Sequence, residues 1–240
     1  MPKIIFHSNR LYNYESEHLP STIKKEMPEW FSKASKYWKP KTSPETYIID
    51  EHGDKSVGFK SCPALLDIFT VGYTLKTPCD LYFYEKDNSI YVQVEPGFED
   101  FCARRDAMAE FVSPDGYHED HFHWWPNWGI ELPKGYSLLV LSPINRYDLP
   151  FLTVGGIIDS DEYILPGLTP FFIKKGFTGK VPAGTPFVQV IPFKREDWSS
   201  EIKFYNQGEM IKRHKRNTAM YRVRKGGIYK RFTWKPKKYE

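Results

Sequence analysis

Between residues 132 and 192 the apolar positions fall into short runs, at 138–141, 154–158, 171–173 and 187–191, each bounded by proline or glycine. Runs of that length with such punctuation predict strands, and no helical period fits them. Pro133-Lys134-Gly135, Pro166-Gly167 and Pro182-Ala183-Gly184 each couple a residue of fixed φ to a permissive glycine, the chemistry of tight turns. Upstream, 73–75, 81–84 and 90–94 predict a meander, with alternation clear in Tyr91-Val92-Gln93-Val94 and a hairpin turn at Lys86-Asp87-Asn88-Ser89. The expected class is mainly β, a jelly-roll-type barrel with short connections.

The flanks read differently. After a short strand at Ile4-Ile5-Phe6, Ser21 can cap a helix in which Trp30, Phe31, Ala34, Tyr37 and Trp38 recur at three- and four-residue steps, giving one aromatic face for packing. Pro40 and Pro44 end it and lead into Tyr47-Ile48-Ile49. Pro63 suits the first position of a helical turn over 61–67. Residues 95–126 read as an insertion with a short helix around 103–111. The expected organisation is an N-terminal extension at 1–46, a β-barrel at 47–198 and a basic arm at 199–240.

With 240 residues, 40% hydrophobic and 17% aromatic, the chain can bury a substantial core. No apolar run reaches membrane-spanning length, and MPKIIFHSNR lacks the apolar core of a signal peptide, so no membrane partner is expected. Cys62, Cys79 and Cys102 contain no CxxC pair, which suits a reducing compartment and argues against structural zinc. The net charge of +4 hides an asymmetry. From Lys212 onward stand Lys212, Arg213, Lys215, Arg216, Arg222, Arg224, Lys225, Lys230, Arg231, Lys235, Lys237 and Lys238 against Glu240 alone, interleaved with Tyr221, Tyr229, Phe232 and Trp234. Such an arm fits nucleic acid, through phosphate neutralisation and stacking, or an acidic partner such as another subunit.

Possible metal ligands concentrate in His118-Glu119-Asp120-His121-Phe122-His123. His118 with Asp120 matches the first two ligands of the facial triad of a cupin-like, Fe2+-dependent oxygenase, and the one histidine downstream to complete it is His214. The alternative is a wet, hydrogen-bonded loop of histidines. Strand alternation would send His121 and His123 to the face opposite Phe122.

A resemblance enters here. Val71-Gly72-Tyr73-Thr74-Leu75 with Asp80-Leu81, then Leu132-Pro133-Lys134-Gly135-Tyr136, Pro143, Gly156-Ile157-Ile158-Asp159-Ser160-Asp161 with Tyr163, and Gly184 with Gln189 resemble, in order and spacing, the motifs of dUTPase and dCTP deaminase barrels. KSCPALLDIFTVGY, LPKGYS, NRYDLPF and GTPFVQVIPFKRE also resemble an uncharacterised family of tailed phages, particularly those of marine bacteria. The first resemblance implies that Asp159 orients a water for attack on an α-phosphate, that Tyr163 packs near the sugar, and that carboxylate-bound Mg2+ clamps the triphosphate. It also implies a homo-oligomer, with a trimer possible.

The chain departs from that pattern where phosphate and metal would sit. Thr74 stands for the first-motif aspartate, Ile144-Asn145-Arg146 for Arg-Ser-Gly, and Thr185-Pro186 for Asp-Arg, while Glu162 is an extra residue before Tyr163. Arg224-Lys225-Gly226-Gly227-Ile228-Tyr229 faintly resembles the family's closing glycine-rich arm. On residue chemistry alone, Asp159 and Asp161 fit an Asx-turn and Arg146 with Asp148 a local ion pair. The expectation is a phage-encoded, non-catalytic binding or structural protein without cofactor, in host cytoplasm or virion. Its partners would be its own copies, other phage proteins, or nucleic acid reached through Lys212, Arg213, Arg216, Arg224, Lys225 and Trp234. One alternative is a nucleotide-metabolism enzyme, a pyrophosphatase or deaminase, using Asp159, Tyr163, Gln189 and Arg146 with Mg2+. Another is the oxygenase built on His118, Asp120 and His214.

Overall fold

The period-two runs become antiparallel strands. The computed structural model describes residues 2–8, 10, 18–50, 53–105, 111–126, 128–164, 167–222 and 229–240. Along the chain these form β1 (Ile5–His7), β2 (Ser21–Thr22), α1 (Glu29–Ser32), α2 (Pro63–Ile68), β3 (Tyr73–Lys76), β4 (Leu81–Lys86), β5 (Ser89–Val94), β6 (Cys102–Arg105), β7 (Tyr117–Trp124), β8 (Gly129–Glu131), β9 (Tyr136–Leu141), β10 (Phe151–Thr153), β11 (Gly156–Ile158), β12 (Thr169–Lys174), β13 (Gly179–Val181), β14 (Pro186–Lys194) and α3 (Gln207–Arg222).

The sheets order as β11-β9-β14-β3-β2, β10-β12-β7-β6, β13-β4-β5 and β1-β8. Their inner faces share one core: Leu75, Leu138, Val140 and Phe187 from the first meet Phe122, Trp124, Phe151 and Phe171 from the second and Leu81, Phe83 and Ile90 from the third. Trp124 stacks on Phe171 at 3.6 Å, and its indole N–H donates to Thr153 Oγ1, which in turn donates to the Phe187 carbonyl. A buried indole and hydroxyl are thereby satisfied inside an aromatic centre. The mainly-β barrel expected from the pattern is present, down to the β4–β5 hairpin, whose turn residues Asp87 and Asn88 have φ of 51° and 62°.

Two expected helices are corrected. Residues 102–105 form β6 instead of the start of a helix, because pairing with β7 buries Cys102 and Phe101 in the core; 106–110 lie outside the described residues. Ser21 belongs to β2, and the N-terminal helix is a single turn, α1, opening after Pro28. Tyr37 and Trp38 are extended instead: Tyr37 bridges Val57, and the Trp38 N–H donates to the Ser56 carbonyl. Backbone pairing there outweighs a helical periodicity that Pro28 and Pro40 confine.

The chain divides into two units, 1–26 with 72–195 and 27–71 with 196–240. These limits differ from the expected 1–46, 47–198 and 199–240. β2 draws Ser21 and Thr22 into the barrel sheet, and the backbones of Ile48, Ser56 and Gly58 pair with Lys36 and Trp38. In the second unit Pro63 opens α2 as expected, and the chain's end docks on it: Trp234 Nε1 and Lys237 Nζ both donate to Asp67. Among the described residues no helix is long and apolar enough to cross a membrane.

Candidate functional site

The register of three strands builds the site around Asp159. β11 pairs β9 with Ile158 opposite Leu138, so residues 159–161 emerge beside the start of β9. β14 pairs β9 with Lys194 opposite Tyr136, which delivers Arg195 to the same place, its N–H donating to the Gly135 carbonyl. Gly135, at φ 83°, makes the turn that brings this carbonyl and its own N–H inward.

Arg195 clasps both carboxylates. It donates to Asp161 from Nη1 at 2.8 Å and Nη2 at 2.5 Å, and Nη1 lies 3.0 Å from Asp159 Oδ1. Asp161 also accepts the Gly135 N–H at 2.7 Å, and Asp159 accepts the Ser137 hydroxyl at 2.6 Å. The Arg195 hydrogen bonds, with help from the Gly135 N–H, pull Asp161 down to about 2, and its side chain is 1% exposed. The Ser137 hydroxyl, then Arg195, hold Asp159 below the usual carboxylate range, although its side chain is 60% exposed. In place of the expected Asx-turn, the local turn closes through the Asp159 carbonyl, which accepts from Glu162 and Tyr163, while the side chains reach across to other strands.

The other expected substrate residues are spent on scaffold. Gln189 is fully buried, and its Oε1 accepts the Ile144 N–H at 3.0 Å, fixing the loop in which Asn145 has φ 59°. Arg146 grips Asp148 through Nε and Nη2, the local pair expected from sequence, and Nη1 reaches the Glu26 carbonyl. Gln189 pairs with Leu141 at the far end of β9 from Ser137, four residues or about 13 Å along the strand. Tyr163 is half-exposed and borders an apolar cavity of about 30 Å³ with Trp128, Ile130 and Ile158, which has room for a water and not for a nucleobase. A wider cleft of about 540 Å³ is lined by Arg146, Asp148, Lys174, Lys175, Lys180 and Thr185.

Metal sites fare no better. Thr74 is fully buried and donates to the Val188 carbonyl, so the first-motif position offers no carboxylate ligand, and Asp159 and Asp161 are both held by the Arg195 guanidinium. These residues do not fit Mg2+. His118 and Asp120 face the core side of β7, where His118 Nε2 lies 3.3 Å from Glu85 and Asp120 pairs with Arg104. His214 is exposed on α3 in the other unit. Among the described residues, no three His, Cys, Asp or Glu side chains are grouped to hold a metal ion.

The histidine cluster is a strand and not a wet loop. Phe122 and Trp124 enter the core, as alternation requires, but His121 on the opposite face is buried too, against Phe111 and Phe172. Burial, then Arg105, lowers the basicity of His121 and His123, and the Nδ1 atom of each is buried with no hydrogen-bond partner among the described residues. Within the arm, Lys212, Arg213 and Arg216 are exposed on α3, Trp234 is a packing residue bound to Asp67, and Arg224 and Lys225 lie outside the described residues.

Sequence reading missed Arg195 and α3. Nothing local marks Arg195, because its partners are set by the β14–β9 register. α3 did carry a signal: Asn206 and Glu209 have capping-box spacing, and Asn206 Oδ1 accepts the Glu209 N–H.

No protein-family model matches the chain, and no curated protein matches it either. Among solved structures, one described as native EIAV dUTPase is similar over 57% of this chain and 87% of its own, with 15% identity and a TM-score of 0.31. A likeness of that size carries no functional assignment.

Proposed function

We propose that this chain is a non-catalytic binding or structural protein of a tailed phage, working as a homo-oligomer on a dUTPase-like barrel. The Arg195 clasp carries the reading. An aspartate that orients an attacking water must keep a lone pair and its charge for that water. Here Asp159 Oδ1 is taken by the Ser137 hydroxyl and by Arg195, which also grips Asp161, so the side chain ties strands together, and buried Thr74 supplies no second carboxylate to hold a metal for it. The test is incubation with each deoxynucleoside triphosphate and Mg2+. No hydrolysis is expected, and Asp159→Ala should lower the melting temperature. Turnover abolished by Asp159→Ala at unchanged melting temperature would overturn the proposal.

A second reading, an enzyme with a rearranged site, draws on the wide cleft. The loops corresponding to the second and fourth motifs meet there, with Lys174, Lys175 and Lys180 beside them. That reading requires a nucleotide at one hundred times its dissociation constant to stabilise the fold by about 2.7 kcal/mol, an effect lost in Lys175→Glu. Absence of any thermal shift at millimolar nucleotide would remove it.

A further inference from the structure

The second unit gathers the positive charge of the molecule: residues 27–71 and 196–240 hold 19 Lys and Arg against 11 Asp and Glu, whereas the rest of the chain holds 15 against 19. Its most basic element is α3, where residues 212–216 read Lys-Arg-His-Lys-Arg and all five are exposed. At 100° per residue five consecutive positions ring the helix, so this turn of α3 presents polar groups on every side and no apolar stripe for a membrane or a partner helix. Lys212 and Arg216 stand four apart, Lys212 and Lys215 three apart, and Arg213 and Arg216 three apart, with Glu209 the single acid in the described helix. Such like-charge neighbours destabilise a helix, and a polyanion relieves them.

The segment leading into α3 is the second, independent observation. Trp198, Ile202 and Phe204 are 87%, 84% and 94% exposed, in a segment that belongs to no helix or strand. Tyr205 follows, with the Arg213 guanidinium 4.2 Å from its ring centroid. Flat rings left in water directly beside a ring of cations match what an unpaired nucleotide strand offers, π-faces and phosphates.

We infer that residues 198–216 of the second unit bind single-stranded nucleic acid, with Lys212, Arg213, Lys215 and Arg216 taking the phosphates and Trp198 and Phe204 stacking on bases. This is independent of whether the barrel is catalytic. Duplex presents the phosphates without accessible base faces, so the aromatic contribution belongs to single strands alone.

The test is fluorescence anisotropy on the full chain with (dT)20, a 20-base-pair duplex and a polyglutamate 20-mer, across a salt series. The (dT)20 affinity should fall steeply with salt. Replacing Lys212, Arg213, Lys215 and Arg216 together by Gln should flatten the log-log slope by about 3, at about 0.7 per phosphate. Trp198→Ala with Phe204→Ala should weaken (dT)20 binding about tenfold or more and leave duplex binding unchanged. Both variants alter solvent-exposed side chains, so their melting temperatures should match the parent's. Helical circular dichroism should rise on binding. Absence of (dT)20 binding at low salt would overturn the proposal. So would polyglutamate binding equally well with no effect of the aromatic variant, which would mark a surface for an acidic protein.

Discussion

Arg195 is the residue on which most of the barrel's polar order at the β9 start depends. A planar guanidinium with two parallel donors suits a carboxylate in a way a lysine ammonium does not, so Arg195→Lys should keep charge and lose the two-point grip. Asp161 sits at about 2 in the fold, against about 3.9 for an unfolded aspartate. A carboxylate depressed by folding contributes its full stability above about pH 4 and loses it as pH falls toward 2. The parent's melting temperature should therefore drop more steeply across that window than that of Asp161→Asn, and parallel curves would refute the linkage. Thr153 presents a different kind of dependence. Its hydroxyl serves both the Trp124 indole and the Phe187 carbonyl, so Thr153→Val should cost about 1–3 kcal/mol by orphaning them. Urea denaturation reads this as a lower midpoint with unchanged slope.

Among the elements, β14 does the most organising: it lies between β9 and β3, and its first five residues are buried. The approach to β3 is correspondingly tight. At Gly72, φ is 82° and an added Cβ would stand 2.2 Å from the Val190 carbonyl oxygen. Gly72→Ala should cost about 2–4 kcal/mol, combining a strained backbone with overpacking against main chain, and calorimetry would show it. What the sequence revealed at this scale follows from the range of the forces. The β4–β5 hairpin was legible because Asp87 and Asn88 carry their turn preference locally, and α2 because Pro63 does. β6 was not legible, since a few apolar residues near Arg104 and Arg105 fit either period until β7 supplies a partner. The carboxylates at 159 and 161 could be picked out by spacing, but their role depended on an arginine 34 residues away in the case of Asp161. α3 is marked locally by the cap Asn206 and by Glu209, but its charged 212–216 run carries no apolar period from which a packed helix could be read.

For the whole molecule, thiol chemistry offers a gauge of how firmly the barrel is closed. Burial pushes the Cys79 thiol up to about 12 and raises that of Cys102 as well, while Cys62, in the other unit, is half-buried. A thiol reagent that needs thiolate and access should titrate one cysteine per native chain, with the remaining two appearing only as the core opens. Fast reaction of all three would mean that the barrel breathes far more than its packing implies. The order of synthesis matters in the same way. The middle strand of the largest sheet is the last barrel strand to leave the ribosome, and it seats against β3 with Gln189 opposite Thr74, more than a hundred residues earlier. Until Lys194 has been made, β3 and β9 have no neighbour between them, and Leu75, Leu138 and Val140 stay open to water. The barrel therefore closes late, once β14 has been made, and slowly, because its decisive contacts are distant in sequence.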